Sequence, residues 1–126
     1  MRKVIATQDA PAAIGPYSQA VQIGPMLYCS GQIAIDPQTN EVLRVDVKAQ
    51  TEQVMKNIKA VLGAAGMDFS HVVKTTIFVT DMNDFATVNE VYGKHFVGEP
   101  PARSTVAAAA LPKGVNVEIE VVAYRN

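Results

Sequence analysis

Two kinds of side chain in the last quarter of the sequence could do chemistry together: an isolated arginine and a pair of glutamates. Arg103 follows Pro100-Pro101-Ala102 and opens Ser104-Thr105-Val106-Ala107-Ala108-Ala109-Ala110, a stretch with no other charge. A guanidinium is a rigid planar fork that matches a carboxylate through two parallel N–H···O bonds. Arg103 therefore reads either as an exposed charge at a strand end or as the anchor for an anionic substrate. Glu118 and Glu120 alternate with Val117, Ile119 and Val121, which puts both carboxylates on one face of a strand. On a sheet that faces water they are ordinary solvated charges. If another chain covers that face, a trapped carboxylate must be paired or used, and a shielded one can serve as general acid or base.

Further polar groups gather in the first third. Tyr17 lies in Ala13-Ile14-Gly15-Pro16-Tyr17-Ser18, a loop stiffened by Pro16, and reads as a core aromatic or a pocket wall. Cys29-Ser30-Gly31-Gln32 ends a strand at a glycine, where backbone can approach a ligand closely. Ser30 has no His or Lys beside it to activate it, so it is a hydrogen-bond donor rather than a nucleophile. Cys29 is a small buried hydrophobe. As the only cysteine it makes neither an intrachain disulfide nor a zinc cluster. Asn89 sits on a helix near core positions, and His71 and His95 have no evident partner. No phosphate-binding loop, dinucleotide fingerprint, nucleophile elbow or metal-spaced His/Cys set occurs. Nucleotide, flavin and zinc chemistry lack support.

A small set of elements must position these residues. Gly24-Pro25 separates strands over Ser18–Ile23 and Met26–Ile35, and Asp36-Pro37-Gln38-Thr39-Asn40 is a turn. Asp46 is placed to cap a helix whose apolar face is Val47, Val54, Met55, Ile58, Val61, Leu62 and Ala65, ended by Gly66. Residues 72–80 form a strand rich in β-branched side chains. A second helix starts near Asp81 or Asn83, turns Phe85, Val88, Val91, Tyr92 and Phe96 inward, and stops at Gly98 through Pro101. Strands over 103–109 and 115–124 flank Leu111-Pro112-Lys113-Gly114, and a short strand over 3–6 completes the order (β)ββαβαββ. These elements make an α+β two-layer sandwich, a mixed sheet with two helices on one face, and residues 1–126 form a single domain. With Val73, Ile77 and Val79 opposite Val72 and Phe78, the strand over 72–80 is apolar on both faces. Its uncovered face calls for an oligomer packed through its sheets.

Composition narrows the classes. An apolar fraction of 48% with a net charge of −1 excludes a disordered chain. Eleven basic residues against twelve acidic ones argue against a nucleic-acid groove. Apolar runs are too short for a membrane span or a signal core, so a soluble cytoplasmic protein is expected.

Across essentially its whole length the sequence resembles the Rid family, the YjgF-like reactive-intermediate (enamine/imine) deaminases. The resemblance runs through Ala10-Pro11-Ala12-Ala13-Ile14-Gly15-Pro16-Tyr17-Ser18-Gln19, Cys29-Ser30-Gly31-Gln32-Ile33 and Val73-Lys74-Thr75-Thr76-Ile77-Phe78-Val79. It continues through Asn83-Asp84-Phe85-Ala86-Thr87-Val88-Asn89, Pro101-Ala102-Arg103-Ser104, Leu111-Pro112-Lys113-Gly114 and Val117-Glu118-Ile119-Glu120. It implies a chorismate-mutase-like fold assembling as a homotrimer with clefts between subunits. By position it gives Arg103 the substrate carboxylate and Glu118 the catalytic water, with Tyr17, Ser30, Gly31 and Asn89 completing the pocket. Some members carry a cysteine two residues after the arginine. Thr105 stands there in this chain, and its hydroxyl is expected to take over part of that hydrogen bonding.

The implied reaction is hydrolysis of 2-aminoacrylate and related enamines, released by pyridoxal-phosphate-dependent serine or threonine dehydratases, to 2-keto acids and ammonia. It needs no cofactor and no metal. Two other classes stay open. One is a sensor or regulator that binds small keto or amino acids, or partner proteins, without turnover. The other is a ribonuclease or translation inhibitor, which the acidic pI and the lack of basic–aromatic patches disfavour.

Overall fold

The structure is a computed structural model describing residues 1–126. Its strands are β1 (Arg2–Ile5), β2 (Ala20–Ile23), β3 (Met26–Cys29), β4 (Ile35–Asp36), β5 (Glu41–Val42), β6 (Val72–Val79), β7 (Ala102–Ala107) and β8 (Val117–Tyr124). Six of them form one sheet in the order β1-β2-β3-β8-β6-β7, and β4 and β5 make a separate ribbon. Helices α1 (Val47–Ala64) and α2 (Phe85–Gly93) pack on one sheet face. α2 links β6 to β7, the one parallel pair, and all other neighbours are antiparallel. This is the expected α+β sandwich. No helix is long and apolar enough to cross a membrane.

The ends of α1 follow from its sequence. Asp46 Oδ1 accepts the Ala49 N–H at 2.8 Å, satisfying one of the unpaired donors of the first turn. At the other end Gly66 adopts φ +72°, and the Met67 and Gly66 N–H groups bond back to the Leu62 and Gly63 carbonyls. Glycine meets that left-handed backbone without strain. Between the caps, Val54, Met55, Ile58, Val61 and Leu62 are buried against the sheet.

Several expectations need correction. β3 stops at Cys29 instead of running to Ile35, and Gln32 touches β8 again only through an isolated bridge to Ile119. Asn57 on α1 donates to the Ile33 carbonyl at 3.2 Å and the Ile35 carbonyl at 3.0 Å. Those acceptors are thereby drawn to the helix, and the chain turns away into the β4–β5 ribbon. On β6, a bulge between Val72 and Lys74 changes the phase of the pleat. Val72, Thr75, Ile77 and Val79 are buried, Val73 is exposed, and Lys74, Thr76 and Phe78 alternate with the buried set. β6 is therefore not apolar on both faces. On the sheet the exposed apolar side chains are Val73 itself and, mostly from the other strands, Val4, Ile23, Tyr28, Val106 and Tyr124.

Smaller shifts concern element ends. A single 3-10 turn, Met82–Asp84, precedes α2, with Asp81 Oδ1 accepting from the Asn83 N–H at 2.9 Å. α2 ends at Gly93, so Phe96 lies beyond it yet still packs on Tyr92, with ring centroids 4.7 Å apart. β8 begins only at Val117, after a turn in which Lys113 and Gly114 adopt φ 57° and 71°. His71 does have a partner: its Nδ1 accepts the Asp68 N–H at 3.0 Å in a capping box.

Candidate active site

β8 presents Glu118 on the sheet face away from the helices, between the buried Val117 and Ile119. Its carboxyl lies over the Gly31 backbone. A Cβ at position 31 would overlap Oε2 and come within 3.0 Å of Cδ. Burial, and secondarily the charge of Glu120, hold the Glu118 carboxyl above the ordinary carboxylate range, with no hydrogen bond opposing them. The group is thus a carboxyl set to exchange a proton nearer neutrality than a free one.

Glu118 and Gly31 open into a cleft of about 510 Å3 whose walls include Ile14, Tyr17, Ser30, Ile33, Asn40 and Lys113. Tyr17 is exposed on its loop rather than packed in the core. The Ser30 hydroxyl donates to the Ser18 carbonyl at 2.6 Å, the donor role expected of it. Three polar groups outside the expected set fasten the segments next to this cleft, and of them only Gln19 lines it. The Gln19 amide, buried in the cleft wall, bonds the backbone of Thr7 and Pro11 and pins the segment before Tyr17. Gln50 exchanges two bonds with Asn116, at 2.8 and 2.9 Å, two residues before Glu118. Arg44 donates to the Lys113 carbonyl at 2.8 Å. Each joins residues far apart in sequence, so no local pattern announces it.

Arg103 occupies the sheet edge on β7, in register with the buried Thr75 of β6. Its side chain lies toward α2. Nη1 donates to Asn89 Oδ1 at 2.6 Å, and Cζ sits 5.1 Å from the Phe85 ring centroid and 5.3 Å from that of Tyr92. No carboxylate of the chain lies within ion-pair distance of the Arg103 guanidinium. Arg103 therefore keeps its charge uncompensated. Thr105, half-buried, stands two residues on and in register with Ile77, on the same face of β7.

Within one chain these groups do not meet. Arg103, Asn89 and Thr105 belong to the helix side of the edge strand, with a groove lined by Tyr92, Phe96, Pro100 and Pro101 beside the arginine. Tyr17, Ser30, Gly31 and Glu118 belong to the opposite face, and β6 lies between β7 and β8. Cys29, next to Ser30 at the end of β3, is buried, its thiol pushed up to about 12 by that burial. It packs in the core as the small buried hydrophobe expected. No three His, Cys, Asp or Glu side chains converge in a metal-holding cluster.

The family model described as Endoribonuclease L-PSP matches residues 7–125. Protein DfrA of Myxococcus xanthus is 60% identical over 124 residues, covering 97% of this chain and 95% of that protein. A Mus musculus protein named 2-iminobutanoate/2-iminopropanoate deaminase is 52% identical over 126 residues, covering 100% of this chain and 93% of that protein. The crystal structure of E. coli TdcF with bound serine is similar with a TM-score of 0.92 at 48% identity, covering 98% of this chain and 99% of that one.

Proposed function

The chain belongs to the Rid, or YjgF-like, family, and on that premise we propose that it is a hydrolytic deaminase of enamine/imine carboxylates. Its substrates would be 2-aminoacrylate, 2-iminopropanoate, 2-iminobutanoate and related compounds, its products 2-keto acids and ammonia. The observation that carries this reading is Arg103: a guanidinium held by an amide and two ring faces, with no counter-charge of its own. A site so built is complementary to a carboxylate brought by a ligand. The deaminase name of the mouse relative and the serine bound to the E. coli relative support the same substrate class.

In this mechanism Arg103 fixes the carboxylate and Thr105 and Asn89 flank it. The enamine takes a proton from solvent at C3 and becomes the protonated imine. Water adds to C2, the C=N π pair moves to nitrogen, and Glu118 accepts the proton that the water gives up. The tetrahedral carbinolamine then collapses: Glu118 returns the proton to nitrogen, the C–N bond breaks with its pair leaving on ammonia, and the hydroxyl gives its proton back to Glu118 as its O–H pair forms the ketone C=O. A carboxyl whose pKa is raised by burial suits this double duty, since its conjugate pair takes a proton more readily than a solvated carboxylate and can give it back. Tyr17, Ser30 and Gly31 shape the cleft in which the water sits. The scheme uses water alone and no cofactor.

The same scheme requires two copies of the chain for each site. Since Arg103 and Glu118 lie on opposite sheet faces, a neighbour must bring its β7 edge to the Glu118 cleft. Such a contact joins two different patches, and it terminates only by closing into a ring. A homotrimer with three clefts meets that need and covers the open apolar sheet face. The near balance of eleven basic and twelve acidic residues leaves no excess for a phosphate backbone, so no nucleic-acid partner is proposed. We place this single-domain protein in the cytoplasm, where dehydratases would supply its substrates.

Incubation with 2-aminoacrylate generated in situ tests the reading. Accelerated release of pyruvate and ammonia is expected. Saturable binding of keto or amino acids without turnover would make the protein a sensor instead.

A further inference from the structure

A guanidinium with no carboxylate beside it needs some other means of holding its planar fork in place. Tyr92 and Phe85 of α2 offer ring faces at 5.3 and 5.1 Å from the Arg103 Cζ, within cation–π range. The Tyr92 ring is itself fixed, because its hydroxyl shares a buried 2.7 Å hydrogen bond with Thr75 Oγ1. Thr75 is fully buried, and it is the residue of β6 paired in register with Arg103. Thr75, Tyr92 and Arg103 thus close a triangle whose sides are a strand register, a buried hydrogen bond and a ring face. Asn89 Oδ1 takes one N–H of the guanidinium in addition.

A ring face orients a guanidinium differently from a carboxylate. It leaves the charge uncompensated and leaves the N–H donors, which point outward in the plane, free for a ligand. We propose that Tyr92, locked by Thr75, is a positioning residue that presents the Arg103 fork to the carboxylate of a 2-imino or 2-keto acid, with Phe85 as the second support. The proposal rests on the carboxylate-binding role of Arg103 given above. It adds that the role depends on a hydroxyl pair that never touches the ligand.

Titration of the full-length protein with 2-ketobutyrate, read by calorimetry, tests this alongside imine kinetics and the NMR resonance of the Arg103 Nε–H. Tyr92→Leu should weaken 2-ketobutyrate binding about tenfold. Tyr92→Phe and Thr75→Val, which break one bond from its two ends, should each cost about twofold to fivefold. Their double variant should be no worse than either alone. KM should rise by the same factors while kcat changes less, because the carboxylate contact is equal in ground and transition states. The Arg103 Nε–H resonance, displaced by the two ring currents in the parent protein, should relax in Tyr92→Leu. Melting temperatures of the two conservative variants confirm that they fold.

An unmoved resonance, an unchanged affinity, or a fall in kcat at constant KM overturns the proposal. Titration needs no turnover, so the two readings separate. Tyr92-dependent 2-ketobutyrate binding without imine hydrolysis would sink the deaminase reading and leave this one standing. A parent protein that does not bind 2-ketobutyrate overturns both.

Discussion

At Arg103 charge and geometry can be separated by a single substitution. Lysine keeps the charge but cannot form two parallel bonds to a planar carboxylate, nor lie flat on the Phe85 and Tyr92 rings. Losing a charge-assisted bond costs about 1.5–3 kcal/mol, and misplacing the imine carbon adds to it. Arg103→Lys is therefore expected to lose at least about a hundredfold in kcat/KM under steady-state assay. A near-parental value would leave Arg103 as a mere attractor of anions. Glu118→Gln should behave differently, retaining 2-ketobutyrate binding while turnover falls, since the amide keeps the shape and loses the proton exchange. The raised Glu118 pKa also fixes a sign. The folded chain holds this proton more tightly than the unfolded one, so its contribution to stability is full below the unfolded pKa and is lost as pH rises through the folded one. Glu118→Gln should accordingly melt higher than the parent at neutral pH and lose that advantage in acid. Removing the neighbouring charge with Glu120→Gln should shift the acid limb of kcat/KM to lower pH, and a limb that stays put would show Glu118 is not the titrating group.

Among the elements, the β3–β8 junction sets the site most tightly. Gly31 has ordinary backbone angles, so alanine is tolerated there by the main chain, but its Cβ would meet the Glu118 carboxyl. Gly31→Ala should leave the thermal transition close to parental and reduce kcat/KM by about tenfold or more, because Glu118 must swing off its position. Combined with Glu118→Gln it should add little, the two changes acting on one group. Full additivity would place the role of Gly31 elsewhere. The bulge in β6 has a comparable effect on scale. By looping Val73 out it turns Thr75 inward to meet Tyr92, and so the phase of one strand decides whether Arg103 has a rigid support.

For the whole molecule, the proposed mechanism makes assembly a condition of activity, because Arg103 and Glu118 stand on two sheet faces. Native mass spectrometry should show three chains, and a stable, active monomer would end the shared-cleft scheme. A sharper outcome comes from mixing two inactive variants. In trimers reassembled from equal amounts of Arg103→Ala and Glu118→Gln chains, about a quarter of the clefts should pair an intact Arg103 with an intact Glu118 from a neighbour. Activity should return to about that fraction. If both residues of a cleft came from one chain, mixing would restore nothing.

The sequence alone determined the local features: the α1 caps at Asp46 and Gly66, the alternation on β8 and the burial of Cys29. Each depends on neighbours a few residues away, so periodicity and capping chemistry expose it. Arg103, Glu118, Gly31 and Asn89 were legible as candidates for the same reason, by residue type and by resemblance. Tertiary structure alone decided where they stand. The early end of β3 depends on Asn57 claiming two carbonyls more than twenty positions away, and the phase of β6 on a bulge defined only by its partner strand. The separation of Arg103 from Glu118 depends on sheet order, which inserts β6 between β7 and β8. Strand order and register are set by side-chain pairings across the whole chain, and no window of sequence contains them.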